Sequence, residues 1–153
     1  LAAKDSVIKA GGDAVVMTST FMEPYARRYS ADAAREALSA GKIVFFGGGT
    51  GNPYFSTDTA GILRANEINA DVFLLAKNID GIYDRDPKKD SNAVFFEEIS
   101  YSEMIARNLK GIDLAASALG SEFGPDAFAF QLSNTEDIVK AIRGESRGTK
   151  IIK

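Results

Sequence analysis

Residues 42 to 59 read Lys42-Ile43-Val44-Phe45-Phe46-Gly47-Gly48-Gly49-Thr50-Gly51-Asn52-Pro53-Tyr54-Phe55-Ser56-Thr57-Asp58-Thr59, a run of β-formers that stops at glycine and gives way to a helix start. A strand this uniformly apolar suits a parallel sheet covered on both faces. In such sheets the crevice beyond the carboxyl ends of the strands is where ligands bind, and a strand-to-helix loop is placed there by topology. The glycines let the backbone approach a ligand closely and adopt φ > 0. Ser56, Thr57 and the first amides of the next helix offer donors to an anion, aided by the positive end of the helix dipole. A phosphate suits that place. The segment has no Gly-Lys-Ser/Thr of a Walker A loop and does not match Gly-x-Gly-x-x-Gly, so neither general nucleotide motif accounts for it. The plain alternative is a structural glycine turn. Tyr54 and Phe55 fit that alternative poorly, because aromatic side chains in a polar loop need a surface to cover, and a nucleobase provides one.

Working outward, strand and helix signals alternate. Leu1 to Ala10 has helical apolar spacing and ends at Gly11-Gly12. Ala14 to Met17 reads as a buried strand, followed by a loop through Pro24 and the basic pair Arg27-Arg28. Ser30 caps a helix over Ala31 to Ala40, and Lys42 to Phe46 is the next strand. Thr57 and Asp58 stand at the N-cap of a helix whose apolar face runs from Ala60 to Ile68. Asp71 to Ala76 is a strand. Ser100 opens a helix over Tyr101 to Leu109, with Glu103 completing a capping box. Ile112 to Phe123 is a helix, Ala127 to Leu132 a strand, Asn134 to Ile142 a capped helix and Thr149 to Ile152 a last strand. This order predicts an α/β fold, with helices on both faces of a mainly parallel sheet, in one domain over residues 1–153.

The composition limits the chemistry. The 153 residues carry 18 Lys plus Arg against 21 Asp plus Glu, a net charge of −3, and their 45% apolar content is enough to bury a core. Cys, His and Trp are all absent. Thiolate and imidazole chemistry, Ser-His-Asp triads and zinc sites of the usual ligands are thereby excluded. Carboxylates, lysines, arginines, hydroxyls and backbone amides remain, a set suited to reactions run by positioning and charge neutralisation, phosphoryl transfer foremost. No apolar run approaches the roughly 20 residues of a membrane helix, and a cysteine-free chain without a signal segment reads as cytoplasmic. The first residue is Leu rather than Met, which reads as a chain lacking its front portion.

Asp58, at a helix start, is either a favourable dipole partner and cap or a carboxylate that organises phosphoryl transfer by orienting a lysine or metal. A phosphate acceptor is already nucleophilic, so no base is needed. A second constellation, Ala76-Lys77-Asn78-Ile79-Asp80-Gly81-Ile82-Tyr83-Asp84-Arg85-Asp86-Pro87, also follows a strand directly. It offers an aromatic face, amides and carboxylates to a purine and ribose, against the alternative of a charged surface loop. Lys88, Lys89 and Asp90 read as solvent chemistry. Arg27-Arg28 without a basic stripe gives no reason to expect nucleic-acid binding. Asp84 and Asp86 lack the further oxygen ligands and turn glycine of a calcium loop. Asp113 is an N-cap candidate with a possible place near a donor nucleotide.

In wording and spacing, the segments 49–58 and 76–87 resemble the bacterial uridylate kinases of the amino acid kinase family, and Glu97 to Glu103 and Gly144 to Ile151 extend the likeness. The first motif is the more specific. Relatives that phosphorylate amino acids, carbamate or isopentenyl phosphate are not expected to carry it. The resemblance implies the three-layer amino acid kinase fold with its front portion missing, and transfer of the ATP γ-phosphoryl to UMP in pyrimidine nucleotide synthesis. It places Thr50, Gly51, Asn52, Pro53, Tyr54, Phe55, Ser56 and Thr57 on UMP, within a loop at 47–59, with Thr57 near the phosphate and Asp58 as the catalytic carboxylate. Lys77, Asn78, Tyr83 and Asp86 would meet ATP in a loop at 76–87, and Lys77 stands where other members often carry a small polar residue. It further implies Mg²⁺ brought with ATP, no protein-held metal, a homohexamer, GTP activation and UTP feedback. The family's phosphate-clamping lysine, front glycine loops and acceptor-phosphate arginine are not in these residues, which implies little activity from this stretch alone. The competing expectation is a non-catalytic nucleotide-binding or storage relative on the same fold.

Overall fold

Residues Leu1–Ala60 form the first of two units in the computed structural model, which describes residues 1–153. The unit contains α1 (Ala2–Lys9), β1 (Ala14–Thr18), β2 (Arg27–Arg28), α2 (Ala31–Ser39) and β3 (Ile43–Gly47), and α3 (Thr57–Glu67) begins within it. The strand order is β2-β1-β3 and all pairing is parallel, with Ala14 opposite Ile43 and Thr18 opposite Gly47. Parallel neighbours need a crossover, and α2 lies within the one joining β1 to β3. It starts where the sequence predicts: Ser30 is extended and its Oγ accepts the Ala33 N–H at 3.2 Å. Ala34, Ala37, Ala14 and Met17 are buried.

Two expectations change in this unit. Arg27 and Arg28, read as a loop, form a short parallel edge strand against Met17 and Thr18. Two exposed arginines carry no apolar alternation to announce a strand. Ile43 and Phe46 are 49% and 38% exposed. β3 is an edge strand of this sheet, so its apolar run is only partly covered.

Residues Gly61–Lys153 form the second unit. After α3 come β4 (Phe73–Lys77), β5 (Ile82–Tyr83), β6 (Phe95–Phe96), β7 (Glu98–Ser100), α4 (Tyr101–Ala106), α5 (Leu114–Glu122), β8 (Ala127–Gln131), α6 (Glu136–Ile142) and β9 (Gly148–Ile152). One sheet runs β4-β8-β9-β7, parallel at β4/β8 and β7/β9 and antiparallel at β8/β9, while β5 and β6 make a separate antiparallel pair. The expected mainly parallel α/β organisation therefore holds, with an antiparallel step in this sheet. β6 and β7 carry no sequence signal of their own, because their partners are set by distant pairing and the β5–β6 connection is too long for a hairpin turn motif.

The predicted caps are largely in place. Ser100 Oγ accepts the Glu103 N–H at 3.0 Å, while the Glu103 carboxylate pairs with Arg107 one turn along the helix. Asp113 caps α5 through the Ala116 N–H at 3.0 Å. The core gathers Ile62, Leu75, Ile99, Met104, Ala127, Ala129 and Ile151 around Tyr101. Each large aliphatic side chain so buried contributes about 1.5–3 kcal/mol. Tyr101 is fully buried and its hydroxyl donates to the Pro125 carbonyl at 3.1 Å. Burial first, and then the charge of Asp126, push this phenol up to about 12.

One buried hydroxyl joins three strands. Thr149 Oγ1, on β9, accepts the Ile82 N–H at 2.8 Å and donates to the Phe96 carbonyl at 2.5 Å. Thr149 is completely buried, so its loss would leave two backbone groups without water. Thr149→Val is expected to lower unfolding free energy by about 1–3 kcal/mol in urea titration, with Thr149→Ser close to the parent. Tyr101 sets a pH limit. Its folded pKa lies above its unfolded value, so its contribution is intact below pH 10 and is lost as pH rises towards about 12. Thermal midpoints should fall over that window, and Tyr101→Phe should flatten the fall.

Candidate functional site

In the first unit, β1 and β3 end in register, so the turns that follow them emerge side by side at the carboxyl edge of the sheet. After β3 the chain turns at once. The Gly51 N–H donates to the Gly48 carbonyl at 3.1 Å, with Gly49 at φ 60° in the first central position, where glycine is favoured. Gly48 and Gly51 also have positive φ. Asn52 N–H donates to Thr50 Oγ1 at 3.1 Å, which closes a second small turn. Next, Tyr54 adopts φ 71°, unusual for a residue with a Cβ. Its side chain is fully exposed and that of Phe55 is 54% exposed, so two aromatic rings stand in solvent beside a glycine turn.

Helix α3 opens directly after them. The Ser56 Oγ accepts the Thr59 N–H at 3.1 Å, so Ser56 is the cap, and not Thr57 or Asp58 as the sequence pattern predicts. The shift has a simple cause. Thr57 and Asp58 already belong to the first turn of α3, and the side chain one residue earlier reaches the third amide. Asp58 is half-buried and Thr57 exposed in that turn. The residues from Thr50 to Asp58 are thus held contiguously between a parallel strand and a helix N-terminus.

The turn after β1 went unread. Thr18 Oγ1 donates to the Thr20 carbonyl at 2.8 Å, and Ser19 Oγ donates to the Gly48 carbonyl at 2.6 Å. Ser19, a hydroxyl residue directly after an apolar strand, was the available signal, since ligand sites gather at that edge.

In the second unit, residues 79 and 81–87 and residues 108–111 line a cleft of about 390 Å³. Tyr83 and Asp86 are on its wall, whereas Lys77 and Asn78 are not among its lining residues. Lys77 ends β4, and its carbonyl accepts the Leu132 N–H at 3.0 Å. Tyr83 packs edge-on against Phe95 at 5.2 Å and donates to Asp80 at 2.9 Å. Partial burial first, and then the Asp80 carboxylate, push the Tyr83 phenol above its ordinary value, while Arg147 works against them. Arg147 pairs with Asp80 at 3.3 Å and lies 4.6 Å over the Phe95 ring.

Asp84 takes two bonds from Arg85 and accepts the Val94 N–H at 2.7 Å. The Arg85 guanidinium, foremost among these, holds its carboxyl below the usual range. Asp86 Oδ1 accepts the Lys88 N–H at 3.0 Å, and its carbonyl receives the Lys89 and Asp90 amides. Asp90, read as solvent chemistry, anchors Arg85 at 3.2 Å. The lining at 108–111 was not anticipated either: Asn108 is left-handed at φ 51°, and its place in the same cleft as Tyr83 depends on tertiary packing. No group of three or more acidic side chains is assembled to hold a metal ion.

A sequence profile described as "Amino acid kinase family" matches residues 5–127. The chain belongs to the amino acid kinase family. Among curated members it is similar to a uridylate kinase of Oenococcus oeni, 42% identical over 152 residues, which cover 99% of this chain and 63% of that protein. Among solved structures of the family, a UMP kinase from Ureaplasma parvum matches with TM-score 0.93 at 30% identity, over 100% of this chain and 66% of that one. A UMP kinase from Bacillus anthracis matches with TM-score 0.89 at 32% identity, over 95% and 60%. The chain thus spans 63% of the length of the curated relative it matches.

The site geometry carries a stability prediction. Tyr54 is fully exposed at positive φ, so relief of strain offsets the flexibility that glycine adds to the unfolded chain. Tyr54→Gly should leave the unfolding free energy within about 0.5 kcal/mol of the parent in urea titration.

Proposed function

We propose that this chain carries the acceptor and donor nucleotide loops of a UMP kinase, an enzyme that transfers the γ-phosphoryl of ATP to UMP and releases UDP and ADP. The observation that carries this reading is the loop from Gly47 to Asp58: a glycine turn at the end of a parallel strand, two solvent-facing aromatic rings, and a Ser56-capped helix start, in a chain 42% identical to a uridylate kinase. Thr50 to Thr57 would hold UMP. Their amides and hydroxyls, with the helix dipole, suit the phosphate, and Tyr54 or Phe55 suits the base. Tyr83 and Asp86, on the wall of the 390 Å³ cleft, would take ATP, with Lys77 and Asn78 beside them in sequence. The family match runs across both units, which supports their working as one domain over residues 1–153.

Asp58 acts by orientation in this proposal. The attacking oxygen belongs to a phosphate that is already anionic, and the breaking bond is the one between the β–γ bridging oxygen and the γ-phosphorus. Charge on the transferring group must be spread and held, and no proton need be removed. Mg²⁺, arriving with ATP, would supply that neutralisation. Such ions are commonly held by one or two carboxylates plus substrate phosphates. A cytoplasmic homohexamer, activated by GTP and inhibited by UTP, belongs to the same proposal by family likeness. No helix is long and apolar enough to cross a membrane.

UMP at a hundred times its dissociation constant should stabilise the chain by about 2.7 kcal/mol, read as a rise in thermal midpoint. Because the chain spans 63% of its relative, a coupled assay with ATP, Mg²⁺ and UMP on these residues alone should show little turnover. In a chain extended to the relative's length, Asp58→Asn should retain UMP and ATP affinity and lose turnover. Absence of any UMP-dependent stabilisation would overturn the assignment. A nucleotide-binding relative without catalysis would show binding in every form and turnover in none.

A further inference from the structure

The turn after β1 and the glycine turn after β3 are joined by Ser19. Its Oγ donates to the Gly48 carbonyl at 2.6 Å across 29 residues of sequence, and its own N–H donates to the Gly47 carbonyl at 3.3 Å. The contact is close on every side. A Cβ added to Gly48 would stand 2.8 Å from Ser19 Oγ, and one added to Gly51 would stand 3.1 Å from Ser19 Cβ. Both glycines therefore close around one serine side chain. The same Gly48 carbonyl also accepts the Gly51 N–H that closes the turn. A carbonyl oxygen free to swing towards an anion would repel it. Two donors on this oxygen fix its direction and, with it, the direction of the amides that follow.

We propose that Ser19 is a positioning residue for the acceptor site, locking the Gly48–Gly51 turn in the conformation that receives a pyrimidine nucleoside monophosphate. This rests on reading the loop from Gly47 to Asp58 as that site. Ser19 touches no reacting atom in this account. It acts through Gly48, and it adds a close contact to the positive φ that already favours glycine at 48 and 51. The neighbouring bond from Thr18 Oγ1 to the Thr20 carbonyl at 2.8 Å holds the serine's own turn in shape.

The test uses the 153-residue chain and three variants, Ser19→Ala, Ser19→Thr and Thr20→Ala. UMP and ATP affinities are measured by calorimetry, and Gly51 amide exchange is measured without ligand. Losing one hydrogen bond of ordinary strength predicts about a tenfold loss of UMP affinity in Ser19→Ala. ATP affinity should stay within about twofold and Gly51 exchange should quicken by a similar factor of about ten. Ser19→Thr, which keeps the donor, should restore affinity and protection, and Thr20→Ala should leave both unchanged. If the parent binds UMP and Ser19→Ala binds it equally well, or loses UMP and ATP alike, the positioning role is overturned while the kinase reading stands. If the parent does not bind UMP, the kinase reading and the nucleotide role of Ser19 both fail, and Gly51 exchange then reports only whether the serine shapes the turn.

Discussion

Strands β1 and β3 run parallel and stop in step, Thr18 against Gly47, and the first unit's candidate site follows from that register. Side-by-side endings bring a hydroxyl-rich turn against a glycine turn, so that one side chain reaches across 29 residues of sequence. Out of step by one residue, the period-two alternation of the strands would turn Ser19 to the other face. The apolar content of β1, with Met17 and Ala14 buried, holds the register, and the polar edge takes its geometry from it.

Tertiary contacts decide the second unit in a similar way. Thr149 places a hydroxyl where Ile82 needs an acceptor and Phe96 needs a donor, tying the β5–β6 pair to β9. Gly81 completes the fit, because a Cβ there would stand 2.5 Å from both Phe95 and Thr149 Oγ1. Tyr83 and Asp86 line the same cleft as residues 108–111. The electrostatics follow the same geometry. Asp84, Arg85 and Asp90 pair within the loop between β5 and β6, while Asp80, just before β5, pairs with Arg147, just before β9.

Much of this was legible from local pattern, because its causes are local. Ser30, Ser100 and Asp113 stand immediately before apolar helical spacing and cap the helices they precede. The glycine loop declares itself by composition, and its position at a strand's carboxyl end follows from topology. What escaped notice depends on pairing between distant segments. Arg27-Arg28 becomes a strand through Met17 and Thr18, Phe95-Phe96 through Ile82 and Tyr83, and Ser19 gains a role through Gly48. The misplaced cap at α3 is a smaller error of the same kind. Ser56, Thr57 and Asp58 are all competent caps by type, and the entry path of the chain chooses among them.

Tyr101 and Gly120 constrain each other's volume. A Cβ on residue 120 would run into the Tyr101 ring, which is fully enclosed and held at its far end by Pro125. Replacing the tyrosine by phenylalanine would not create room, since the ring itself is the obstacle. A side chain at 120 therefore requires either a displacement of α5 from the ring or a smaller residue at 101 with the void that comes with it. Volume, more than backbone angle, is what keeps residue 120 a glycine.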